Sequence, residues 1–203
     1  MVDDCCSIEV DSKEQARILW IVLGVNVAMF VAEFVAGVVA QSTGLIADSL
    51  DMLADAAVYS VSLYAVGRSA GLKKRAAMLS GVLQILLAIS IAGEIVRRMF
   101  VGSEPEPVLM IGVSLIALVA NVLCLALIAK HRDGEVHMRA SWVFSKNDVI
   151  ANVGVIAAGG LVLLLDKHWP DLVIGSLIVF VVLRGGISIL VDARRERIID
   201  SQR

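Results

Sequence analysis

Amphipathic patterning is nearly missing from this 203-residue chain: 58% of its residues are hydrophobic and they fall in blocks, which excludes an ordinary soluble core. Cysteine is equally sparse. Three thiols, two of them adjacent at Cys5 and Cys6, cannot supply a disulfide framework, and neighbouring thiols lack the spacing that closes a tetrahedral metal site. No nucleophile with a positioned base and no nucleotide-binding loop occurs, so no enzyme activity and no prosthetic group are expected. The formal net charge of −2 selects no partner class, and no nucleic-acid partner is expected. The polar, acidic start of the chain is followed by an apolar block without a small-residue cleavage site, so no cleavable signal peptide is expected.

What is present is a set of six apolar blocks, each long enough for a hydrocarbon layer about 30 Å thick. They are Ile18–Ala40, Ser42–Val66, Ala76–Val96, Val108–Ala129, Ala140–Leu165 and Leu172–Val191. The expected fold is an all-α integral membrane protein, a six-transmembrane-helix bundle over residues 17–192. A short polar tail at 1–16 carries the cysteine pair, and a short basic tail at 193–203 closes the chain. Six spans return both termini to one side. Of the 18 Lys and Arg residues, only Arg97, Arg98 and Lys167 fall on the opposite side, and Lys146 and Arg184 lie inside spans. The remainder, including the run Lys73, Lys74 and Arg75, share the side of the termini, which the positive-inside rule assigns to the cytoplasm of a bacterial inner membrane.

The second span holds three carboxylates, Asp48, Asp51 and Asp55. At the centre of a membrane helix each costs about 2.5–3.5 kcal/mol to insert, whereas each Leu, Ile or Val returns only about 0.3–0.6. Spacings of three, four and seven put all three on one helical stripe, where neighbouring helices can shield them from lipid around a polar cavity. The fifth span offers a matching stripe, Ser145, Asp148 and Asn152. Two helices with oxygen donors at one depth can close a four-coordinate cation site between them.

At these positions the chain resembles the cation diffusion facilitator family, six-helix transporters of zinc and related divalent metals. Asn26–Gly37 and Gln41–Asp55 are similar to that family's opening, and Arg139–Asp148 to its fifth helix. The resemblance implies that Asp51 and Asp55 occupy the paired ligand positions of the second helix, and that Asp148 is the second ligand of the fifth. Phe144 stands where the family places a histidine or aspartate and cannot ligate a metal. The fourth donor is then water, Ser145, Asn147, Asn152, Asp48 or nothing. A cytoplasmic C-terminal metal-binding domain, carried by many members, is not expected in a chain that ends at Arg203, and the family's homodimer would have to form through membrane contacts or the termini.

The expected function is export of divalent metal cations from the cytoplasm by proton antiport with alternating access. Its partners are the metal ions, protons and lipid bilayer. The alternative is a non-transporting metal-binding or accessory subunit. An all-oxygen set is hard and suits manganese, iron(II) or magnesium on ligand chemistry, while the resemblance favours zinc, cobalt and cadmium. Cys5 and Cys6, beside Asp3, Asp4 and Glu9, have two readings: an incidental reduced tail, or a capture point for a thiophilic ion. Asn26, Gln84 and Asn121 are expected to hydrogen-bond between helices, and Glu33 requires a partner or a proton. Lys146 either snorkels or pairs with a site carboxylate. His131 and His137 are expected in a solvated basic loop, Trp142 and Trp169 as interfacial anchors, Cys124 as a packing residue, and Trp169-Pro170-Asp171 as an ordinary helix start. Gly159 and Gly160 in the fifth span and Gly185 and Gly186 in the sixth permit close helix approach.

Overall fold

The computed structural model describes the backbone at residues 3–65, 70–129 and 136–200, and side chains mainly within 14–63, 78–129 and 142–191. Among these residues it is entirely helical. Six helices follow in order: α1 Asp3–Val39, α2 Thr43–Ala65, α3 Ala70–Val101, α4 Pro107–Ala129, α5 Val136–Leu165 and α6 Trp169–Asp200. All six expected spans lie within helix except for an end residue or two. The polar N-terminal tail is not irregular, because α1 runs unbroken from Asp3, and α6 likewise continues to Asp200 through the basic tail.

Among the described residues, four stretches are long and apolar enough to cross a membrane: Ala16–Val39, Pro107–Ala129, Ser145–Leu165 and Trp169–Val191. α2 falls short for a physical reason, since Asp48, Asp51 and Asp55 sit in the middle of its length. Such a helix depends on its neighbours. α2 accordingly packs against α1, α3, α5 and α6, while the closest pairings elsewhere are α4 with α5 and α3 with α6.

Polarity is inverted relative to a soluble bundle. Val27, Val31, Val35, Leu115, Ile116, Val119, Leu163 and Leu164 point outward, whereas Asn26, Glu33, Asp48, Asn121, Asp148 and Asn152 are fully buried. Continuous exposed apolar faces of this kind require a partner, and α1, α3, α4, α5 and α6 each offer one, as lipid requires, whereas the described residues of α2 show none. Along α4 the inward stripe is Met110, Ser114, Ala117, Asn121, Cys124 and Ile128, alternating in steps of four and three. Its ends join two apolar clusters. One contains Leu45, Ala88, Met110, Val155 and Val179, the other Ile18, Val22, Tyr59, Cys124 and Ile128. Cys124 is thus the packing residue its surroundings suggested. The buried polar groups of α1, α2, α4 and α5 lie between the clusters, shielded from both ends.

At the end of the bundle away from the termini the turns are closed by specific caps. α1 ends in a Schellman turn, with Gln41 at φ 49°, Ser42 N–H donating to Gly37 O at 2.9 Å and Gln41 N–H to Val38 O at 3.3 Å. α3 ends at Gly102, whose φ of 85° suits glycine. Pro107 opens α4 after Glu106, whose carboxylate accepts the Val108 and Leu109 N–H groups at 3.3 and 2.6 Å. Glu94 holds Arg97 and Arg98, and Arg98 also donates to the Gln41 carbonyl.

Trp169-Pro170-Asp171 is more than a helix start. The Asp171 carboxylate caps a different helix, α2: it accepts the Ser42 hydroxyl at 2.6 Å, Thr43 N–H and hydroxyl at 2.7 Å each, and Gly44 N–H at 2.9 Å. Ser42 Oγ in turn accepts Leu45 N–H at 3.1 Å. A Cβ on Gly175 would lie 3.1 Å from the Thr43 backbone, so the two helix starts touch directly. An anionic cap at a helix N-terminus is favoured by both the orphan N–H groups and the helix dipole. Asp171→Ala leaves those donors unpaired in a buried setting and is expected to cost about 2–4 kcal/mol, measured as a fall in the melting temperature of the protein in detergent; an unchanged melting temperature would show that the clasp does not support the fold.

Candidate functional site

The carboxylates of α2 do not all face one space. Asp51 and Asp55, 8% and 6% exposed, line a cavity of about 370 Å³ together with Gln84 of α3, Asn147 of α5, and Arg184 and Ser188 of α6. A second cavity, about 200 Å³ and walled mainly by Ile150, Ala151, Ile174, Leu177 and Ile178, meets the first at Asp51, Asn147 and Val181. Asp51 and Asn147 therefore stand at the neck between a chamber edged by charged groups and a more apolar one.

Asp48 and Asp148 turn instead into the four-helix interior formed by α1, α2, α4 and α5, each with no exposed surface. A chain of amides enters there from α4: Asn121 Nδ2 donates to Asn152 Oδ1 at 3.0 Å, and Asn152 Nδ2 donates to Asp48 Oδ2. Among the described residues neither oxygen of Asp148 or Glu33 has a hydrogen-bond partner, and both residues are fully buried. Glu33, Asp48 and Asp148 have no exposed surface, and Asp51 and Asp55 have almost none. Five acidic side chains thus share one electrostatic field in a low-dielectric interior, which strengthens every interaction among them. Ser145 lies buried beside Tyr59, one turn beyond Asp55 on α2.

Of the residues singled out from the sequence, Asp51, Asp55 and Asn147 meet at the cavity, while Asp48, Ser145, Asp148 and Asn152 lie on the interior side. No three His, Cys, Asp or Glu side chains among the described residues are gathered closely enough to hold a metal ion together. The side chains of Cys5, Cys6 and Phe144 lie outside the described residues, as do His131 and the His137 side chain. Asn121 and Gln84 bridge helices as expected, the latter donating to Val182 O at 3.1 Å, but Asn26 returns to its own helix at Val22 O, 2.9 Å away. Lys146 pairs with no site carboxylate. Its ammonium lies over the Trp142 ring, 5.6 Å from the centroid.

The profile of the cation efflux transmembrane domain matches residues 19–196. The chain belongs to the cation efflux family. Relatives within it include the metal cation efflux system protein CzcD of Cupriavidus metallidurans, 24% identical over 87% of this chain and 62% of its own length. The cadmium, cobalt and zinc/H(+)-K(+) antiporter of Bacillus velezensis is 24% identical over 80% of this chain and 56% of its own. The zinc transporter ZitB of Pectobacterium atrosepticum is 29% identical over 85% and 58%. The chain spans about three fifths of the length of these curated relatives. Membership in the cation efflux family, with the apolar helices, makes this a multi-pass integral membrane protein.

Sequence reasoning passed over Arg184 and the cross-helix role of Asp171. An arginine inside an apolar span was itself a usable signal, because such a charge has to face a cavity or a counter-charge. The cavity geometry has a direct consequence for accessibility. In a background with Cys5, Cys6 and Cys124 replaced by serine, Asp51→Cys and Asp55→Cys are expected to react with a small hydrophilic thiol reagent at least about tenfold faster than Asp148→Cys, since reactivity follows exposure; mass spectrometry of the labelled protein reads the rates, and equal labelling at all three would contradict the division between cavity and interior.

Proposed function

We propose that this chain forms the membrane domain of a secondary transporter that exports divalent metal cations from the cytoplasm in exchange for protons. The observation that carries the reading is the pair Asp51 and Asp55, with Asn147, at the neck of an interhelical cavity in a chain of the cation efflux family. The topology in this reading is six spans with both termini cytoplasmic, supported by the distribution of Lys and Arg over the loops. The transporter domain covers 17–192, and a homodimer is part of the proposal on the resemblance alone.

The ion is cargo, and the residues have separable roles. Asp51 and Asp55 supply anionic oxygens at the cavity wall, Asn147 a neutral carbonyl oxygen in the position that Phe144 leaves unfilled, and Asp148 a further carboxylate from the interior side. The dispersal of these groups suits a carrier whose donors converge when the ion enters and separate when the cavity opens to the other side. Carboxylates released from a cation take up protons more readily in a low-dielectric site than in water, so metal and protons compete for the same oxygens. The printed names of the relatives, which specify zinc, cadmium and cobalt and in one case antiport with H(+) and K(+), support zinc-like ions as cargo. Cys5 and Cys6 stand as a delivery point for such ions. A second reading, a metal-binding or accessory membrane subunit, draws on the absence of a gathered three-carboxylate cluster among the described residues.

Zinc uptake into proteoliposomes carrying an internal indicator separates the two. Wild type is expected to show flux that rises with an opposing proton gradient, and Asp51→Ala to lose it by about tenfold or more, given that even supporting groups around a metal carry 10–100-fold effects. Bound zinc without flux would favour the accessory reading, and indifference to the gradient would remove the proton coupling. Phe144→His adds an imidazole to the donor set and is expected to tighten zinc binding in equilibrium dialysis; unchanged affinity would mean that position 144 does not face the site.

A further inference from the structure

Two cations lie inside the apolar spans, and only one is accounted for. Lys146 rests on the Trp142 ring. Arg184 lies within the membrane-crossing stretch of α6 and opens onto the chamber that Asp51 and Asp55 line. Among the described residues it forms no ion pair and no hydrogen bond; the ion pairs there are those of Glu94 with Arg97 and Arg98. Guanidinium does not deprotonate in proteins, so its charge cannot be removed to spare the cost of the membrane setting.

Its orientation is fixed by the helix crossing beside it. A Cβ on Gly186 would meet the Gly81 carbonyl oxygen at 3.2 Å, so α3 and α6 cross with almost no space between their backbones. Gln84 strengthens the crossing by donating to Val182 O at 3.1 Å, two residues before Arg184. Rotating α6 to carry Arg184 out of the chamber would drive other side chains into that contact. The backbone that carries this long, permanently charged side chain is therefore fixed beside a chamber whose carboxylates, among the described residues, are Asp51 and Asp55.

Building on the proposed transport function, we propose that Arg184 is the chamber's resident counter-cation: across the cavity that it shares with Asp51 and Asp55 its guanidinium offsets their charge and competes with the incoming divalent ion. A positive group cannot be a ligand for the metal. It competes with it, weakening binding and supplying charge to the carboxylates as the ion departs, which speeds release. Arg184 is a positioning residue in this scheme, acting on cargo through the two aspartates.

The test compares wild type, Arg184→Gln and Arg184→Lys as full chains, with zinc affinity read by equilibrium dialysis of the detergent-solubilised protein and zinc uptake read in proteoliposomes. Arg184 is an exposed residue at the cavity wall, so removing its positive charge from beside an incoming divalent ion is expected to tighten binding by about threefold or more. The maximal uptake rate of Arg184→Gln is expected to fall by a comparable factor, while Arg184→Lys returns both quantities toward wild type. A merely structural arginine would give lower affinity with lower rate and no rescue by lysine, and that result overturns the inference, as does wild-type affinity in Arg184→Gln. Should the glutamine variant fail to fold, Arg184→Met, which keeps length and apolar packing, carries the same expectation. Wild type that neither binds nor moves zinc would defeat the transport reading itself; wild type that does both, with unaltered Arg184 variants, defeats only this one.

Discussion

Five acidic side chains inside an apolar bundle set the terms for the rest of this molecule. Carboxylates in hydrocarbon are too costly to leave facing lipid, so the helices that bear them must be surrounded. That constraint makes α2 the central helix, in contact with α1, α3, α5 and α6. It also explains the inverted polarity of the bundle, with valine and leucine outside and asparagine and aspartate within. Two apolar clusters pack against the polar layer, one through Leu45, Met110 and Val155 and the other through Val22, Tyr59 and Cys124.

Because the polar layer is poorly satisfied, it is held from outside itself. Among the described residues Glu33 and Asp148 have no hydrogen-bond partners, while Asp48 is tethered through Asn152 to Asn121. The firm contacts lie at the bundle end: the Asp171 clasp on α2, the Schellman turn at Gln41 and the Glu94 fork on two arginines. The contacts that hold the described bundle together are thus concentrated at its end, and the buried carboxylates in its middle are left largely without them. The clasp also joins α6, which carries Arg184, to α2, which carries Asp51 and Asp55, so the counter-charge and the carboxylates are referenced to one another.

Much of this was legible in the residues. Block hydrophobicity located six helices to within a residue or two at most of their inner ends, because lipid length fixes span length. The three-four-seven spacing of Asp48, Asp51 and Asp55 marked the buried polar stripe of α2, and Ser145, Asp148 and Asn152 that of α5. The division of those groups between cavity and interior was not legible, since helical spacing gives the face but not which neighbour covers it. Asp171 was missed because capping is recognised from local sequence, and its partners lie more than a hundred residues away. Lys146 was read as snorkelling or as pairing with a site carboxylate, and the structure sets it over the Trp142 ring, a contact neither reading named; a solitary Arg184 offered charge without geometry.

The central claim is that carboxylate and amide oxygens of α2 and α5, not thiols or imidazoles, hold the transported ion. X-ray absorption spectroscopy of the zinc-loaded protein tests it most directly. The account predicts a first shell of oxygen scatterers near about 2.0 Å that is lost in the Asp51→Ala, Asp55→Ala double variant. A sulfur shell near about 2.3 Å that persists in that variant would contradict it and place the ion at the cysteine pair instead.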